Sequence, residues 1–264
     1  MKHPILLAAL LCTTSARAQV NAEILRPNPL RPGVSATLDA SLAAVRGNVE
    51  LHDVGGALRL QHQTLHPAEK GAVPFVFQRA FLSASGRYAD RAGTAFVSQS
   101  FLHARWTAMW HPRVGSDVFV QHQTNQFLRL QARLVGGGGV RLELVHGPAV
   151  MAWAGSGLML EYDRIVVAPL ASDAPARWEV RSTSYFTVRV STLDGRLLLQ
   201  NTVYAQPRVG RARDVRLLEE LEVLARVTDV FALGTTLGWV HDTAPPTGVK
   251  PTDGRVLSMV RLSF

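Results

Sequence analysis

The residues Arg-Val-Leu-Ser-Met-Val-Arg-Leu-Ser-Phe at 255–264 separate into two alternating sets. Successive side chains of a β-strand point to opposite faces, so residues two apart share a face. One face is then almost wholly apolar and is interrupted only by Ser258; its members are Val256, Val260, Leu262 and Phe264. This spacing predicts a strand with one apolar face and a second face that carries Arg261.

Alternation with a period of two extends over most of the chain, from Val34 onward. In residues 128–134 it predicts Leu128 and Leu130 on an apolar face, and Arg129 and Arg133 on the opposite face. An amphipathic helix would repeat its apolar residues every 3.6 positions, so the pattern favours an all-β fold. The runs between turn signals predict about twelve strands, near residues 34–45, 49–62, 75–88, 94–110, 117–125, 127–145, 149–163, 177–190, 196–206, 214–227, 230–242 and 255–264.

Beyond residue 18, no segment has the roughly 18 to 20 consecutive apolar residues that a transmembrane helix needs. Strands that are apolar on one face can cross a membrane instead, provided that they close into a barrel. Closure is required because every backbone polar group must be hydrogen bonded in hydrocarbon. The two faces therefore predict hydrocarbon outside the barrel and a polar interior.

The lengths of the links support an up-and-down barrel with both chain ends in the periplasm, since bacterial barrels have short periplasmic turns and longer outer loops. Links after the fourth, sixth, eighth and tenth predicted strands are short, at residues 111–115, 146–148, 193–195 and 228–229. Links after the seventh and eleventh are longer and contain proline, at residues 167–176 and 243–254. Two links depart from this trend, at residues 46–48 and 66–74. We expect a transmembrane antiparallel up-and-down β-barrel over residues 34–264.

One predicted strand, at residues 214–227, conflicts with a simple alternation. Glu219 would share the lipid face with Leu217 and Leu221, while Leu218 would lie on the opposite face. A carboxylate that faces lipid is destabilising unless it lies near an interface. We therefore expect a bulge or a different register in this strand.

The first 18 residues have the pattern of a cleaved secretory signal peptide. A basic residue precedes an apolar segment at 5–12, and Ala16-Arg17-Ala18 forms a small-x-small cleavage site. A proline-rich periplasmic lead-in would follow over residues 19–33. Cys12 lies in the removed segment, so the mature chain is expected to have neither disulfides nor thiol chemistry.

With its aromatic last residue, the strand at 255–264 resembles the carboxy-terminal assembly signature of Gram-negative outer-membrane barrels. The resemblance implies the barrel-assembly machinery and outer-membrane lipids as partners, with Val256, Val260, Leu262 and Phe264 as the assembly signal. Aromatic residues near predicted strand ends fit the girdles that such barrels have at the membrane interfaces; they are Trp110, Trp178, Tyr204, Phe231 and Trp239.

Several local motifs resemble the proteobacterial family of salt-induced outer-membrane proteins, a domain of unknown function. They are Ser-Leu-Ala-Ala-Val-Arg-Gly-Asn at 41–48, Phe-Leu-Arg-Leu at 127–130 and Val-Gly-Gly-Gly-Gly-Val at 135–140, together with Tyr162 and Phe264. The resemblance implies an outer-membrane location and a link to salt or envelope stress. It implies no catalytic residues.

The formal net charge of +8 does not point to nucleic acid. Arginines are interleaved singly with apolar residues, whereas a nucleic-acid footprint needs clustered basic side chains. No nucleic-acid partner is expected.

Charged side chains on the inward faces are the strongest functional candidates. We expect them to line the lumen: Arg105, Arg129, Arg133, Arg181, Arg189, Arg261, Glu161, Glu179, Glu220 and Glu222. If they pair with one another, they block the lumen, since an unpaired buried charge costs several kcal/mol. If they do not, they line a narrow path for small anions or solutes. We favour the interpretation in which these charges pair with one another and block the lumen.

The sequence gives little support for a metal site or for a hydrolase. Gln-His-Gln-Thr occurs at 61–64 and at 121–124, but strand direction puts the two copies at opposite mouths, so no shared metal site is expected. A lipid hydrolase would need a serine beside a histidine, yet Ser98 and Ser100 alternate onto the face opposite His103. We expect a non-enzymatic, cofactor-free, porin-like barrel that is structural or weakly conducting. The alternatives are a barrel-borne outer-membrane lipid hydrolase and a soluble periplasmic β-rich binding module.

Overall fold

The computed structural model describes residues 32–45, 51–66, 75–91, 94–126, 128–192 and 195–264. Predictions for the signal peptide at 1–18, for the lead-in up to residue 31, for the outer loop at 46–48 and for most of the turn at 66–74 lie outside the described residues.

Within these residues the chain forms twelve strands. They are β1 Gly33–Val45, β2 Leu51–Leu65, β3 Val76–Arg91, β4 Thr94–His111, β5 Val114–Asn125, β6 Leu130–His146, β7 Val150–Ile165, β8 Ala176–Thr192, β9 Leu197–Arg208, β10 Arg211–Arg226, β11 Phe231–Asp242 and β12 Thr252–Ser263. Each strand pairs antiparallel with the next one along the chain, and β12 pairs with β1 to close the barrel. The predicted fold class is confirmed, and the strand bounds differ from the predicted ones by a few residues.

The links define two ends of the barrel. We name the end with the long β7–β8 and β11–β12 links the loop end, and the opposite end, with the β4–β5 and β6–β7 turns, the turn end. Pro112 and Arg113 form the β4–β5 turn. Thr247 N donates to Asp173 Oδ2 at 3.0 Å, so the two long links touch each other above the barrel.

The two faces of the sheet have the reverse of the polarity expected in a water-soluble protein. In β4, Trp110 is 67% exposed on the outside, whereas His103 is 1% exposed on the inside. Large apolar side chains are exposed on the outside of eleven of the twelve strands, with β10 as the exception, and most buried charged side chains lie inside. Among the described residues, no helix has the length and apolarity to cross a bilayer.

The start of β6 differs from the prediction. Residues 126–129 form a turn in which Arg129 N donates to Gln126 O at 3.0 Å, and Arg129 has a φ of 54°. The register between β6 and β7 then shifts between Leu130 and Ala132. A one-residue shift reverses the faces, so Leu128 and Leu130 are buried inside, while Leu134 is exposed on the outside as predicted.

The register of β10 is regular where an error was expected. Val215 to Ala225 pair without interruption with β9, and the single irregularity lies earlier, between Arg211 and Val215. Glu219 does face outward, where its carboxylate accepts a hydrogen bond from Asn201 Nδ2 at 3.1 Å. Glu219 pairs with Trp239 of β11, and Trp239 lies near the loop end, where an interfacial girdle belongs.

Candidate functional site: the barrel interior

The loop-end half of the interior holds a group of alternating charges, which we name the charge network. Its members come from β6 to β11 and comprise five arginines, Arg133, Arg177, Arg181, Arg208 and Arg216, and five carboxylates, Glu161, Asp163, Glu179, Asp214 and Asp242. The period of two aims these side chains inward from successive strands. Because the formal charges balance, no net charge is left to be neutralised by ions.

Arg216 holds the centre of the charge network. Its Nη1 donates to both Glu161 oxygens at 2.6 and 2.7 Å, and its Nε donates to Asp242 Oδ2 at 2.9 Å. Arg216 lies on β10 and Glu161 on β7, so this contact joins strands that are not neighbours. The guanidinium therefore bridges part of the lumen.

Two further arginines of the charge network are buried with their partners. Arg133 makes a two-pronged contact with Asp163 at 2.6 and 2.7 Å, the geometry that suits a planar guanidinium and a carboxylate. Arg181 donates through Nη2 to Glu179 at 2.7 Å and to Asp214 at 2.8 Å. All of these side chains are buried, so the pairs exchange little with solvent.

An apolar cluster lies beside the charge network at the loop end. It consists of Leu128, Leu130, Tyr204, Leu218 and Val240, with Ile165, Tyr185 and Val249 packed against it. Leu130 begins β6, and Val240 lies on β11, which is nearly opposite in the ring. The cluster therefore joins opposite walls and narrows the loop end. Tyr204, which was predicted to lie in an interfacial girdle, belongs to this interior cluster instead.

Arg129 does not line the lumen from a strand, as was expected. It lies in the turn before β6, and its Nη1 donates to the backbone oxygen of Thr247 at 2.8 Å. It thus connects the β5–β6 turn to the β11–β12 link, which covers the cluster from above.

A second group of charges lies near the junction of β1 and β12. Arg261 donates to Asp39 at 2.9 and 3.1 Å and to Glu222 at 2.9 and 2.7 Å, and Arg59 donates to Asp39 at 2.7 Å. Arg261 and Asp39 are partners in the register that closes the barrel. This group therefore connects β1 and β12, the two strands that close the barrel, to β10.

A third polar group lies closer to the turn end. Tyr185 donates to Asp117 Oδ2 at 3.0 Å and accepts from Arg141 at 3.1 Å. The Arg105 guanidinium lies 5.4 Å from the ring centre of Phe119. β5 and β8 are three strands apart, so the Tyr185–Asp117 contact also crosses part of the lumen.

Open space lies mainly on the other side of the barrel. A cavity of about 120 Å³ is lined by β1 to β5 and by β10 to β12, whereas the cavity among Arg105, Arg133 and Arg216 measures about 40 Å³. Since a water molecule needs at least roughly 10 to 15 Å³ on this measure, the larger cavity has room for several waters. We name it the seam cavity, because it adjoins the β1–β12 junction.

The structure buries nine of the ten arginine and glutamate side chains that were expected to line the lumen, namely Arg105, Arg133, Arg181, Arg189, Arg261, Glu161, Glu179, Glu220 and Glu222. Arg129 is the exception. Sequence reasoning missed Arg216 and Asp163, although both share a face with predicted residues, two or four positions away. Among the described residues, no group of three or more His, Cys, Asp or Glu side chains is placed to hold a metal ion. The paired Ser100 and Thr124 hydroxyls face outward, away from the buried His103.

The residues of the expected assembly signal lie on the outer face of β12 or just beyond it. Val256 and Val260 are exposed there. Phe264 follows β12, where its backbone exchanges two hydrogen bonds with Ala36, at 2.8 and 3.0 Å. Phe264 therefore takes part in closing the barrel through its backbone and leaves its ring exposed.

A family model described as "Protein of unknown function, DUF481" matches residues 38–260, which is most of the chain. The chain belongs to this family. No curated protein matches the sequence.

Several solved structures are similar to this member of the family. The NanC porin is 6% identical, with 87% of this chain and 97% of that chain covered and a TM-score of 0.43. The KdgM porin is 8% identical, with 88% and 99% covered and a TM-score of 0.42. A bacterial polysaccharide outer membrane secretin is 11% identical, with 88% and 98% covered and a TM-score of 0.44. The fold assignment rests on the strand pairing of this chain itself.

Proposed function

We propose that this DUF481 protein is a non-enzymatic barrel of the bacterial outer membrane whose interior is held closed by paired charges. The outward faces of the strands are apolar, and the interior is polar. This arrangement is stable where hydrocarbon surrounds the barrel, because water would leave the outer apolar surface exposed. The protein would reach that membrane through a cleaved signal peptide and the barrel-assembly machinery, with the β12 residues as the signal.

The proposal of a closed interior rests on side-chain contacts between strands that are not neighbours in the barrel. Arg216 to Glu161 joins β10 to β7, and Tyr185 to Asp117 joins β8 to β5. The apolar cluster adds a contact between β6 and β11. An open pore of this strand number would leave such side chains apart and hydrated, so the contacts support a structural role.

Weak conduction is the second candidate. The seam cavity is lined by Arg59, Arg87 and Arg255, and arginine in a pore lining favours anions. Small ions would pass this side of the barrel, where several interior residues are small, such as Ser41, Gly55 and Ser83.

Planar-bilayer recordings of refolded protein test both candidates. The structural role predicts that the wild-type protein produces no current steps or only small ones, whereas large steps like those of an open porin would contradict it. Leu130→Ala should raise the conductance because it removes part of the apolar cluster, while Leu134→Ala on the outer face of the same strand is the control. Cation preference of any current would rule out the anion path.

A role in salt or envelope stress is a separate part of the proposal, and it rests on the resemblance of the local motifs. A strain that lacks the gene should then grow more slowly than its parent at raised NaCl, and equal growth would contradict the role. Fractionation tests the location, since protein extracted without detergent would favour the soluble binding module. Turnover of phospholipid that depends on one histidine would favour the hydrolase.

A further inference from the structure

The junction between β1 and β12, which we name the seam, is paired over only part of its length. Residues 37–40 pair with residues 260–263, and Ala36 exchanges hydrogen bonds with Phe264. Both strands continue toward the loop end. β1 stays paired with β2 as far as Val45, and β12 stays paired with β11 from Thr252.

Toward the loop end the two strands separate. In the part of the chain that the structure describes, residues 41–45 and 252–259 have no partner across the seam. Hydrogen-bonded pairs alternate along an antiparallel ladder, and Ala36 with Phe264 is one such pair. Leu42 and Ser258 would continue this series, so their backbone groups point into the gap. Unpaired backbone groups in hydrocarbon cost several kcal/mol each, which means that water or a polar ligand must reach them.

The seam cavity lies directly behind this gap. Ser41 of β1 and Arg255, Leu257 and Met259 of β12 all line it. On the outer side, Leu42 is 78% exposed and Val256 is 50% exposed. A polar cavity and a lipid-facing apolar surface are therefore separated by two strand edges that do not pair.

Arg255 is the cation of this cavity that has the weakest partner. Among the residues that the structure describes, its one ion pair, with Glu220, has an N–O distance of 3.8 Å, and its buried Nε finds no hydrogen-bond partner. Arg261, six residues farther along the same strand, makes four hydrogen bonds to two carboxylates, all within 3.1 Å. Arg255 thus keeps donors available for an added acceptor inside the seam cavity.

We propose that the loop-end half of the seam is a lateral opening that binds a long-chain carboxylate from the membrane. The carboxylate lies in the seam cavity beside Arg255, and the alkyl chain leaves between Leu42 and Val256 into the hydrocarbon. A planar guanidinium matches a carboxylate in geometry and charge, and the head group brings water to the unpaired strand edges. The site rests on the proposed membrane location and is additional to the proposed structural role.

Photolabelling in phosphatidylcholine vesicles tests the opening. The probe is a fatty acid with a diazirine next to its carboxylate, and labelled residues are mapped by mass spectrometry. We expect adducts on cavity-facing Leu257 and Met259. Arg255→Gln should reduce these adducts by about ten-fold, as the loss of a charge-assisted hydrogen bond implies, and a diazirine fatty alcohol should label the wild-type cavity weakly.

A disulfide across the gap provides the second test. Ser41→Cys with Met259→Cys, in a Cys12→Ser background, would be the next partners if the register continued. Oxidation should close the gap and remove the adducts in the cavity, and reduction should restore them. The control pair is Thr37→Cys with Ser263→Cys, which face inward in the paired part of the seam and should leave labelling unchanged.

The position of the adducts separates the possible failures. Adducts on outward residues such as Trp239 but not in the cavity would overturn the lateral opening and leave the membrane location standing. The absence of adducts on the outward face as well would contradict the membrane location. Cavity adducts that persist in the oxidised Ser41–Met259 variant would show another route of entry and overturn the opening.

Discussion

The two sides of this barrel share one strand pattern and differ in what their inward positions carry. On β6 to β11, which we name the closed side, inward positions hold long charged side chains such as Arg216 and Glu161. On β12 and β1 to β4, the open side, many hold small ones, such as Ser41, Gly55 and Ser83. Alternation of apolar and polar residues therefore determines the barrel, whereas the size of the inward residues determines how far the interior is filled.

The two sides also contain arginines that differ in how closely they pair with carboxylates. On the closed side, Arg216 and Arg181 each contact at least two carboxylates within 3 Å. On the open side, Arg261 is paired as closely, with Asp39 and Glu222, but Arg255 contacts, among the described residues, a single carboxylate at 3.8 Å. Removing one partner of a buried pair leaves an uncompensated charge, which is the expensive change. Arg216 and Arg255 should therefore respond differently to the same substitution.

Arg216→Met should have the largest effect. It leaves Glu161 and Asp242 without their main cation, and breaking a buried pair in this way costs about 3 to 5 kcal/mol. Urea unfolding of the protein in vesicles, followed by tryptophan fluorescence, measures the loss. Arg255→Met is the control on the open side and should cost clearly less, because the contact that it removes, with Glu220, is long at 3.8 Å. Equal losses for both variants would remove the distinction between the sides.

Leu218→Ala should come next. Leu218 is 2% exposed in the apolar cluster, and truncating a fully buried leucine costs about 3 kcal/mol because a cavity remains. Leu257→Ala is the matched change at the seam cavity, where space already exists, and it should cost clearly less. The same unfolding assay compares the two, and a larger loss for Leu257→Ala would mean that the open side is the better packed one.

Gly157→Ala should have the smallest of the three effects. A Cβ on Gly157 would collide with the backbone oxygen of Gly138, since β6 and β7 approach closely there, and such overpacking costs about 2 kcal/mol. A Cβ on Gly55 would meet the Ser41 Oγ at 2.6 Å, and a hydroxyl can rotate away. Gly55→Ala should therefore change the midpoint little, and a loss as large as that of Gly157→Ala would indicate a rigid open side.

Most of the fold could be predicted from the sequence, because each strand carries its own signal. The alternation at 102–110 and 178–190 predicts which side chains point outward, and the parity of the short links predicts the direction of the strands. Tyr204 shares its face with the buried Gln200 and Gln206, so the alternation alone predicts that its side chain points into the barrel. The prediction that Tyr204 lies in a girdle was wrong because it relied only on the place of this residue near a predicted strand end.

The remaining features depend on information that is not local. The turn at 126–129 and the shift after Leu130 reverse the facing of Leu128 and Leu130. The hydrophobic pattern does not reveal this shift, because the interior there is apolar as well. The Arg216–Glu161 pair depends on how β10 and β7 are placed across the lumen. The gap in the seam depends on two strands that are far apart in the chain. None of these three features can be predicted from the hydrophobic periodicity of a single segment.

The hydrogen bonds between Ala36 and Phe264 have a consequence for biogenesis. The ring cannot form until β12 has been synthesised, so the barrel cannot close while the earlier strands alone are present. Contacts between residues so distant in sequence also make folding slow. The newly made chain, with its alternating apolar side chains unpaired, must therefore be protected from aggregation until β12 pairs with β1.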